Sequence, residues 1–439
     1  MYFSLKAWKD ILCLGNDDIS EGGSRLATLI FHVDVNSAYL SWEAARRVKR
    51  GEADLRLIPS AVGGDREKRT GVILAKSLPA KCYGVKTGEP VGMALKKCPS
   101  LVLVKPDFGL YEKMSGAFMD VCRKYAPVVE KFSIDECFLD MSNTERIYPD
   151  PVALAYKIKD EIRDTLGFTV NIGIGENKLT AKMAGDFEKP DKVHTLFQHE
   201  IKSKLWPLPV GHLYMVGHAT AAKLEKMHVR TIGDLAQIDV TTLCTLMGEK
   251  MGLQLNRYAH GIDHSPVLEM PREAKGYSNS TTMEADVTSR EDALRILLAL
   301  TDSVASRLRA DGGKTGSVAV TLRSSAFLDK SHQKKLLQPT DITGELFDIV
   351  EQVFDELWDG RTPMRLLGVA LGQISWEDDP QLSFFEDEER DKARKLDRVV
   401  DDIREKFGSG AIVRGSTCIG MQEVGKKHKA QMELKRQKK

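Results

Sequence analysis

Residues 131–140 read KFSIDECFLD and place two adjacent carboxylates, Asp135 and Glu136, in an apolar run that favours β-strands. A charge among Phe, Ile and Leu is costly to bury unless a partner compensates it, and a metal ion is one such partner. The run predicts a strand, a tight turn and a second strand, with the acids at the turn. The alternative is that both acids cap an ordinary hairpin turn, a position that Asp favours. The pair alone therefore leaves a metal site and a plain turn open.

A third carboxylate, Asp34, ends the predicted strand LIFHVDV, residues 29–35. If the hairpin lies beside this strand, three carboxylates meet at adjacent strand ends. Such an oxygen-rich site suits Mg²⁺, which binds one or two carboxylates together with substrate phosphates. Two such ions can activate a hydroxyl nucleophile and stabilise a leaving pyrophosphate.

The order of predicted elements indicates several α+β units. A strand and a helix are followed by helix, hairpin, helix and strand, which predicts an antiparallel sheet with helices on one face. Residues 196–265 read as mostly helical, and residues 276–374 as a second α+β unit. The length of 439 residues favours about three domains.

Composition narrows the class of protein. The net charge of +1 means that any nucleic-acid binding must come from local basic patches. Seven scattered cysteines without a C-x-x-C pair favour a reducing compartment and argue against zinc or a disulfide framework. No apolar stretch is long enough to span a bilayer, and the first residues resemble neither a signal peptide nor an anchor.

Four ordered motifs carry a family resemblance. They are FHVDVNSAYLSWE (31–43), YGVKTGEP (83–90), SIDECFLD (133–140) and GIGENKLTAKMAGDFEKPDK (173–192). Together they resemble the Y-family, or lesion-bypass, DNA polymerases, of the bacterial polymerase IV and polymerase V catalytic-subunit type. The resemblance implies an α+β right-hand fold with a ferredoxin-like palm, small fingers, a helical thumb with a helix-hairpin-helix and an α+β little finger.

The same resemblance implies a division of the chain into domains. They are an N-terminal extension (1–27), a palm (28–37 and 106–195), fingers (38–105), a thumb (196–265), a linker (266–275), a little finger (276–376) and a C-terminal tail (377–439).

By resemblance, Asp34, Asp135 and Glu136 are the catalytic carboxylates. With the backbone carbonyl of Val35 they are expected to bind two Mg²⁺ ions, which Mn²⁺ can replace. Tyr39 resembles the steric gate, the ring that packs under the sugar and excludes a 2′-hydroxyl. Without the family, Tyr39 would read as an aromatic residue of the core.

Three lysines are expected to contact the nucleotide triphosphate. Lys189, in FEKPDK, resembles the family's triphosphate lysine, although a lysine there is otherwise a solvated helix end. Residues 74–85, LAKSLPAKCYGV, resemble the finger helix, whose N-terminus would favour phosphate. Lys81 matches a triphosphate contact within it, and Lys76 is a second candidate.

Two regions are expected to hold DNA. Residues 213–235 resemble a helix-hairpin-helix, which offers backbone N–H groups to phosphates without sequence preference. Gly217 matches its second glycine, but Met215 replaces the first, and two simply packed helices are the alternative.

A basic surface on the little finger comprises Arg323, Lys330, Lys334 and Lys335, separate from the acidic residues of 345–359. Its alternative is a charged strand edge that discourages aggregation.

The tail carries the segment QLSFF, which resembles the sliding-clamp-binding motif of bacterial polymerases. Its expected contacts are Gln381, Leu382, Phe384 and Phe385, because exposed apolar side chains in a polar linker indicate a docking site. The alternative is that both phenylalanines pack back on the protein. Asn36 stands where many members have Asp; this resembles the polymerase V branch and adds an accessory subunit to the possible partners.

The resemblance implies a template-directed translesion DNA polymerase that uses two-metal nucleotidyl transfer. Primer-template DNA and dNTP would be its substrates, with low fidelity and a role in DNA repair, the SOS response and mutagenesis in the bacterial cytoplasm, at the nucleoid. Two alternatives stay open: a nucleotidyl cyclase with a palm-like sheet, and a catalytically silent scaffold bound to DNA and the clamp.

Overall fold

The computed structural model describes residues 28–64, 71–270, 273–376, 388–408 and 410–415. The predicted N-terminal extension and the clamp-binding segment lie outside these ranges. The chain divides into two compact units, one within residues 1–34, 119–165 and 169–269 and the other within 35–118, 166–168 and 270–439. Among the described residues, no helix combines the length and apolarity that crossing a membrane requires.

The first unit is built on a five-stranded sheet in the order β5-β6-β1-β7-β8. Its central strand buries Ile30, Phe31, His32 and Val33 in succession, so that both faces of the strand are covered. Strand β6 pairs antiparallel with both β1 and β5, and β7 pairs parallel with β8. The strands are β1 (Ile30–Val35), β5 (Val128–Lys131), β6 (Glu136–Asp140), β7 (Val170–Gly175) and β8 (Val193–Leu196).

Two helices of this unit follow from clear sequence signals. Helix α5 (Pro151–Leu166) buries Leu154, Ile158 and Ile162 at helical spacing. Helix α6 (Lys178–Gly185) starts at a capping box between Asn177 and Thr180. A Cβ atom at Gly173 of β7 would lie 2.0 Å from the Ala181 carbonyl oxygen, so only glycine lets α6 approach the sheet this closely.

Between β8 and residue 260 the first unit is mostly helical. Val216, Leu224 and Ile232 are buried in one apolar cluster, as the packed-helix alternative expected. Met215 has φ +71°, a left-handed conformation that favours glycine, so it adopts the backbone geometry of the glycine that it replaces. The helices are α7 (His218–Glu225), α8 (Ile232–Gln237), α9 (Val240–Met247) and α10 (Glu249–Ala259).

The second unit begins with helix α1 (Ala38–Lys49) and a three-stranded sheet in the order β3-β2-β4. Within the segment 74–85, which resembles the finger helix, only Leu78–Cys82 is helical, with Pro79 in the first turn. Residues up to Lys76 lie in a strand, and the helix starts after Ser77, whose hydroxyl caps Ala80 N–H. The elements are β2 (Ser60–Gly63), β3 (Ile73–Lys76), α2 (Leu78–Cys82), α3 (Val91–Lys97), β4 (Val102–Val104) and α4 (Phe108–Arg123).

The strands between residues 276 and 375 form a four-stranded antiparallel sheet in the order β11-β10-β12-β9. Val318, Val320 and Leu322 share one apolar core with two helices, whereas the residues between them lie on the other face. The elements are β9 (Gly276–Val287), α11 (Arg290–Ala310), β10 (Lys314–Ser324), β11 (Asp329–Thr340), α12 (Thr343–Leu357) and β12 (Met364–Ser375).

The last helix, α13 (Glu388–Phe407), packs through charged residues. Asp397 and Arg404 are 3% and 4% exposed, whereas Leu396 and Val399 are 59% and 53% exposed. Arg309 of α11 lies 3.3 Å from Asp397 and 2.7 Å from Asp401, and Arg404 lies 2.7 Å from Asp302. Because the ions are desolvated, this arrangement is stable only if every charge keeps its partners.

We expect Asp397→Ala to destabilise the second unit by about 3–5 kcal/mol, because it removes a buried carboxylate that is paired with both Arg309 and Arg414. Denaturant unfolding followed by circular dichroism measures this. The matched control is Asp402→Ala on the exposed side of the same helix. Equal unfolding midpoints for the two variants would contradict this description of how α13 is held.

Candidate active site

Two of the three predicted carboxylates face each other across neighbouring strands. Asp34 of β1 and Glu136 of β6 are direct partners in the antiparallel register. Side chains opposite each other in such a ladder are about 5 Å apart at Cβ, and like charges there repel. The pair is therefore unfavourable unless cations accompany it.

Glu136 is held by two donors that the sequence reasoning missed. The ring nitrogen Nε2 of His32 and Nζ of Lys182 both donate to its Oε2, at 2.9 Å and 2.5 Å. Burial alone would raise the pKa of Glu136, but these hydrogen bonds and charges outweigh burial and lower its pKa to about 2. Glu136 is thus ionised at neutral pH and fixed by one oxygen.

Asp34 has a different environment. Nζ of Lys189 donates to its Oδ2 and also lies 2.8 Å from Asp186. Burial raises the pKa of Asp34, and the attraction of Lys189 offsets that only in part. Burial would lower the pKa of Lys189, yet Asp34 and Asp186 raise it, so the lysine stays charged beside the carboxylate.

The side chain of Asp135 is held apart from the pair Asp34 and Glu136 by a local contact. Its Oδ1 accepts a hydrogen bond of 2.7 Å from the Ser133 hydroxyl in the turn before β6. Over the described ranges, no three His, Cys, Asp or Glu side chains are arranged as a ready-made metal site. The donor set nevertheless fits Mg²⁺, which prefers carboxylate oxygens and takes further ligands from substrate phosphates.

The predicted nucleotide contacts Tyr39, Lys76 and Lys81 lie in the second unit. Tyr39 is half-buried in the first turn of α1 and stacks on Tyr111, with ring centroids 4.6 Å apart. Nζ of Lys76 donates to the Thr87 hydroxyl at 3.1 Å. Burial first, and then the charge of Lys81, lower the pKa of Lys76. Two lysines close enough to repel each other are suited to bind a polyanion.

The predicted DNA contacts lie on several surfaces. Gly217 is the residue before α7, and a Cβ atom there would meet nothing within 4 Å. In the ladder of β10 with β11, Lys330 and Lys334 pair with the core residues Leu322 and Val318, and so lie on the helix-covered side.

The remaining predicted contacts, Arg323 and Lys335, lie on the opposite, open face of this sheet. Arg323 pairs with Asp329 in the register and binds it through two hydrogen bonds. The expected separation from the acidic residues of α12 is wrong for Lys334, whose Nζ lies 2.5 Å from Glu356. The four basic residues therefore do not form one uniform patch.

Comparison with known proteins shows the family. The impB/mucB/samB family model matches residues 33–186, the model of that family's C-terminal domain matches 274–384, and a model for the DNA polymerase-iota thumb domain matches 212–263. The DNA polymerase IV of Clostridium acetobutylicum is 44% identical over 89% of this chain and 98% of its own length. The chain belongs to the Y-family DNA polymerases.

A further relative and a solved structure are consistent with this family assignment. The DNA polymerase IV of Acetivibrio thermocellus is 37% identical over 88% of this chain and 96% of its own length. A Y-family DNA polymerase chimera matches 80% of this chain and all of its own chain, with a TM-score of 0.68 and 23% identity. The predicted α+β right-hand polymerase fold is confirmed, whereas the proposed domain bounds stay a prediction.

This Y-family polymerase is a translesion DNA polymerase that acts on primer-template DNA and dNTPs, as predicted from the sequence. Y-family polymerases use divalent metal ions. The comparisons do not favour the cyclase or the silent scaffold.

Proposed function

We propose that Asp34, Asp135, Glu136 and the carbonyl of Val35 hold two Mg²⁺ ions for transfer of a dNMP to a primer 3′-hydroxyl. The observation that supports this most is the direct pairing of Asp34 with Glu136 at adjacent strands, with Asp135 next in the chain. When bound, the ions activate the attacking hydroxyl and neutralise charge on the phosphates. Mn²⁺ also prefers oxygen ligands and can substitute.

In the proposed reaction the primer oxygen forms a bond to the α-phosphorus, the proton of its hydroxyl passes to water, and the bond between the α-phosphorus and the leaving pyrophosphate breaks. Glu136, held by His32 and Lys182, stays ionised and fixed throughout. Lys189 contacts Asp34 and carries a positive charge that suits the triphosphate. Lys76 and Lys81 are proposed as further cationic contacts to the triphosphate.

We expect Lys189→Ala to raise the KM for dNTP by about 10- to 100-fold, because a charge-assisted hydrogen bond contributes about 1.5–3 kcal/mol. Steady-state incorporation of one nucleotide measures this. Lys192→Ala is the control, because Lys192 is exposed and lies 3.6 Å from Glu188 on the surface. An unchanged KM in Lys189→Ala would exclude Lys189 as the triphosphate ligand.

Tyr39 is proposed as the steric gate. Its ring is half-buried at the start of α1, four residues after Val35, and aromatic neighbours hold it. A fixed ring under the sugar would exclude a 2′-hydroxyl through steric conflict.

DNA would be held by the hairpin around Gly217 and by the basic residues Arg323, Lys330, Lys334 and Lys335. Because the last four lie on two faces of the sheet, we assign duplex contact first to the open face with Arg323 and Lys335. Lys334 shares Glu356 with His332, and Arg323 is paired with Asp329, so both would contribute less free positive charge than Lys335.

Two partners are proposed beyond DNA and dNTP. A sliding clamp would bind Gln381, Leu382, Phe384 and Phe385, and an accessory subunit would be required if Asn36 marks the polymerase V branch. The site of action would be the bacterial cytoplasm, at the nucleoid, where primer-template DNA is found.

The test is primer extension by purified protein with Mg²⁺ and four dNTPs, on an intact template and on one with an abasic site. We expect extension past the lesion. Binding of primer-template DNA without extension on either template, also after addition of a sliding clamp, would contradict the proposed polymerase site and support the scaffold. Cyclic nucleotide formed without DNA would support a cyclase.

A further inference from the structure

The proposed steric gate is held by a second tyrosine, Tyr111. Tyr111 lies in α4, is fully buried, and stacks on Tyr39 with an interplanar angle of 24°. Phe108, one turn earlier in α4, meets Tyr39 edge-on at 6.3 Å. One side of the Tyr39 ring is therefore covered by α4, and the plane of its stacked partner limits how the ring can tilt.

The position of Tyr111 is itself fixed by buried polar contacts. Its hydroxyl donates to Oε1 of Glu43 at 3.2 Å, and Glu43 is also fully buried. Nη2 of Arg46 donates to the other oxygen of Glu43 at 2.6 Å, and Nη1 of Arg46 donates to Asp107 at 2.6 Å. Asp107 accepts a hydrogen bond from Leu110 N–H at the start of α4.

These contacts form one chain between two helices. Tyr39, Glu43 and Arg46 lie at helical spacing along one face of α1, and Asp107 and Tyr111 lie at the start of α4. Burial first, and then Glu43, raise the pKa of Tyr111, so its hydroxyl stays protonated and keeps donating. Nε of Arg46 is buried without a hydrogen-bond partner among the described residues, but the contacts given above link both helices, and a buried hydrogen-bonded network of this kind favours a single arrangement.

We infer that Tyr111 is a positioning residue for sugar selection, because it holds the Tyr39 ring at the angle at which a 2′-hydroxyl is excluded. This inference rests on the proposed role of Tyr39 as the steric gate. It extends that role to a residue that would not contact the nucleotide.

The test is the ratio of kcat/KM for a dNTP to that for the matching ribonucleotide. Tyr111→Leu removes the stacked ring, and we expect it to lower this ratio by about tenfold. Tyr111→Phe loses the hydrogen bond to Glu43 but keeps the stacked ring, and Arg46 still pairs with Glu43, so we expect it to retain the parent ratio within about threefold. The ratio of Tyr111→Leu should fall mainly through improved use of ribonucleotide, which a general loss of stability would not cause.

The matched control is Phe118→Leu, two turns further along α4, which also removes a fully buried ring. We expect it to lower the free energy of unfolding but to keep the sugar ratio. If Tyr111→Leu does not fold, Tyr111→Met replaces it, because methionine fills irregular space without a ring plane. Failure of both to fold while Phe118→Leu folds would overturn the assignment in favour of a structural role.

The variant Tyr39→Ala distinguishes failure of the steric-gate proposal for Tyr39 from failure of the positioning role of Tyr111. If Tyr39→Ala keeps the parent ratio, the gate assignment itself is wrong. If Tyr39→Ala relaxes the ratio but a folded Tyr111→Leu or Tyr111→Met keeps it, only the inference about Tyr111 is wrong.

Discussion

Asp135→Asn should lower the rate of nucleotide incorporation by on the order of 10³-fold or more, because one metal-binding carboxylate is lost. The fold should survive the change. Among the described residues, the one hydrogen-bond partner of the Asp135 side chain is the neighbouring Ser133, and an asparagine can still accept that hydrogen bond. A lost rate would therefore report on chemistry rather than on unfolding.

Single-turnover incorporation with saturating dNTP measures this rate, and circular dichroism checks the fold. Asp140→Asn is the matched control, because Asp140 ends β6, the strand that follows Asp135, and also accepts a local hydrogen bond, from Ser142 N–H. We expect it to retain the parent rate. A parent-like rate in Asp135→Asn would remove Asp135 from the proposed catalytic set.

The second large effect concerns the sugar. Tyr39→Ala should raise the use of ribonucleotides relative to dNTPs by on the order of 10²-fold, because the ring that would meet the 2′-hydroxyl is gone. Loss of the stack on Tyr111 should also cost some stability, since each aromatic pair contributes about 0.5–1.5 kcal/mol beyond its buried area.

Competing incorporation of a dNTP and its ribonucleotide opposite one template base gives this ratio directly. Tyr83→Ala is the control, because it removes an exposed finger tyrosine. If Tyr39→Ala discriminates between dNTP and ribonucleotide as well as the parent does, Tyr39 is an ordinary aromatic residue of the core and not the steric gate.

The sequence placed Asp34 at a strand end and Glu136 in a hairpin turn, and it left open whether the two strands are neighbours. Glu136 is instead the first residue of β6, directly opposite Asp34. The two donors on Glu136 could not be predicted from the sequence. His32 lies two residues before Asp34, so strand periodicity places both on one face, but only the pairing of β1 with β6 brings that face to Glu136. Lys182 depends on the close approach of α6 at Gly173, which is a property of packing.

The DNA-binding surface and the packing of helix α13 were harder to predict than the carboxylates. The basic residues of β10 and β11 look continuous along the chain, yet side chains alternate between faces, so Lys334 and Lys335 point to opposite sides. Helix α13 has an apolar stripe that usually marks the buried face. Its charged residues are buried instead, because Arg309 and Asp302 supply partners from a distant helix.

The most direct test of the central claim is a titration with Mn²⁺ followed by electron paramagnetic resonance. The sample is the complex with dNTP and a primer that lacks a 3′-hydroxyl, so that binding is measured without turnover. The proposed site predicts two ions bound to the parent complex and fewer, or weaker, in Asp135→Asn and Glu136→Gln. Equal binding of Mn²⁺ in the parent and in both variants would contradict the assignment of these carboxylates as the metal site.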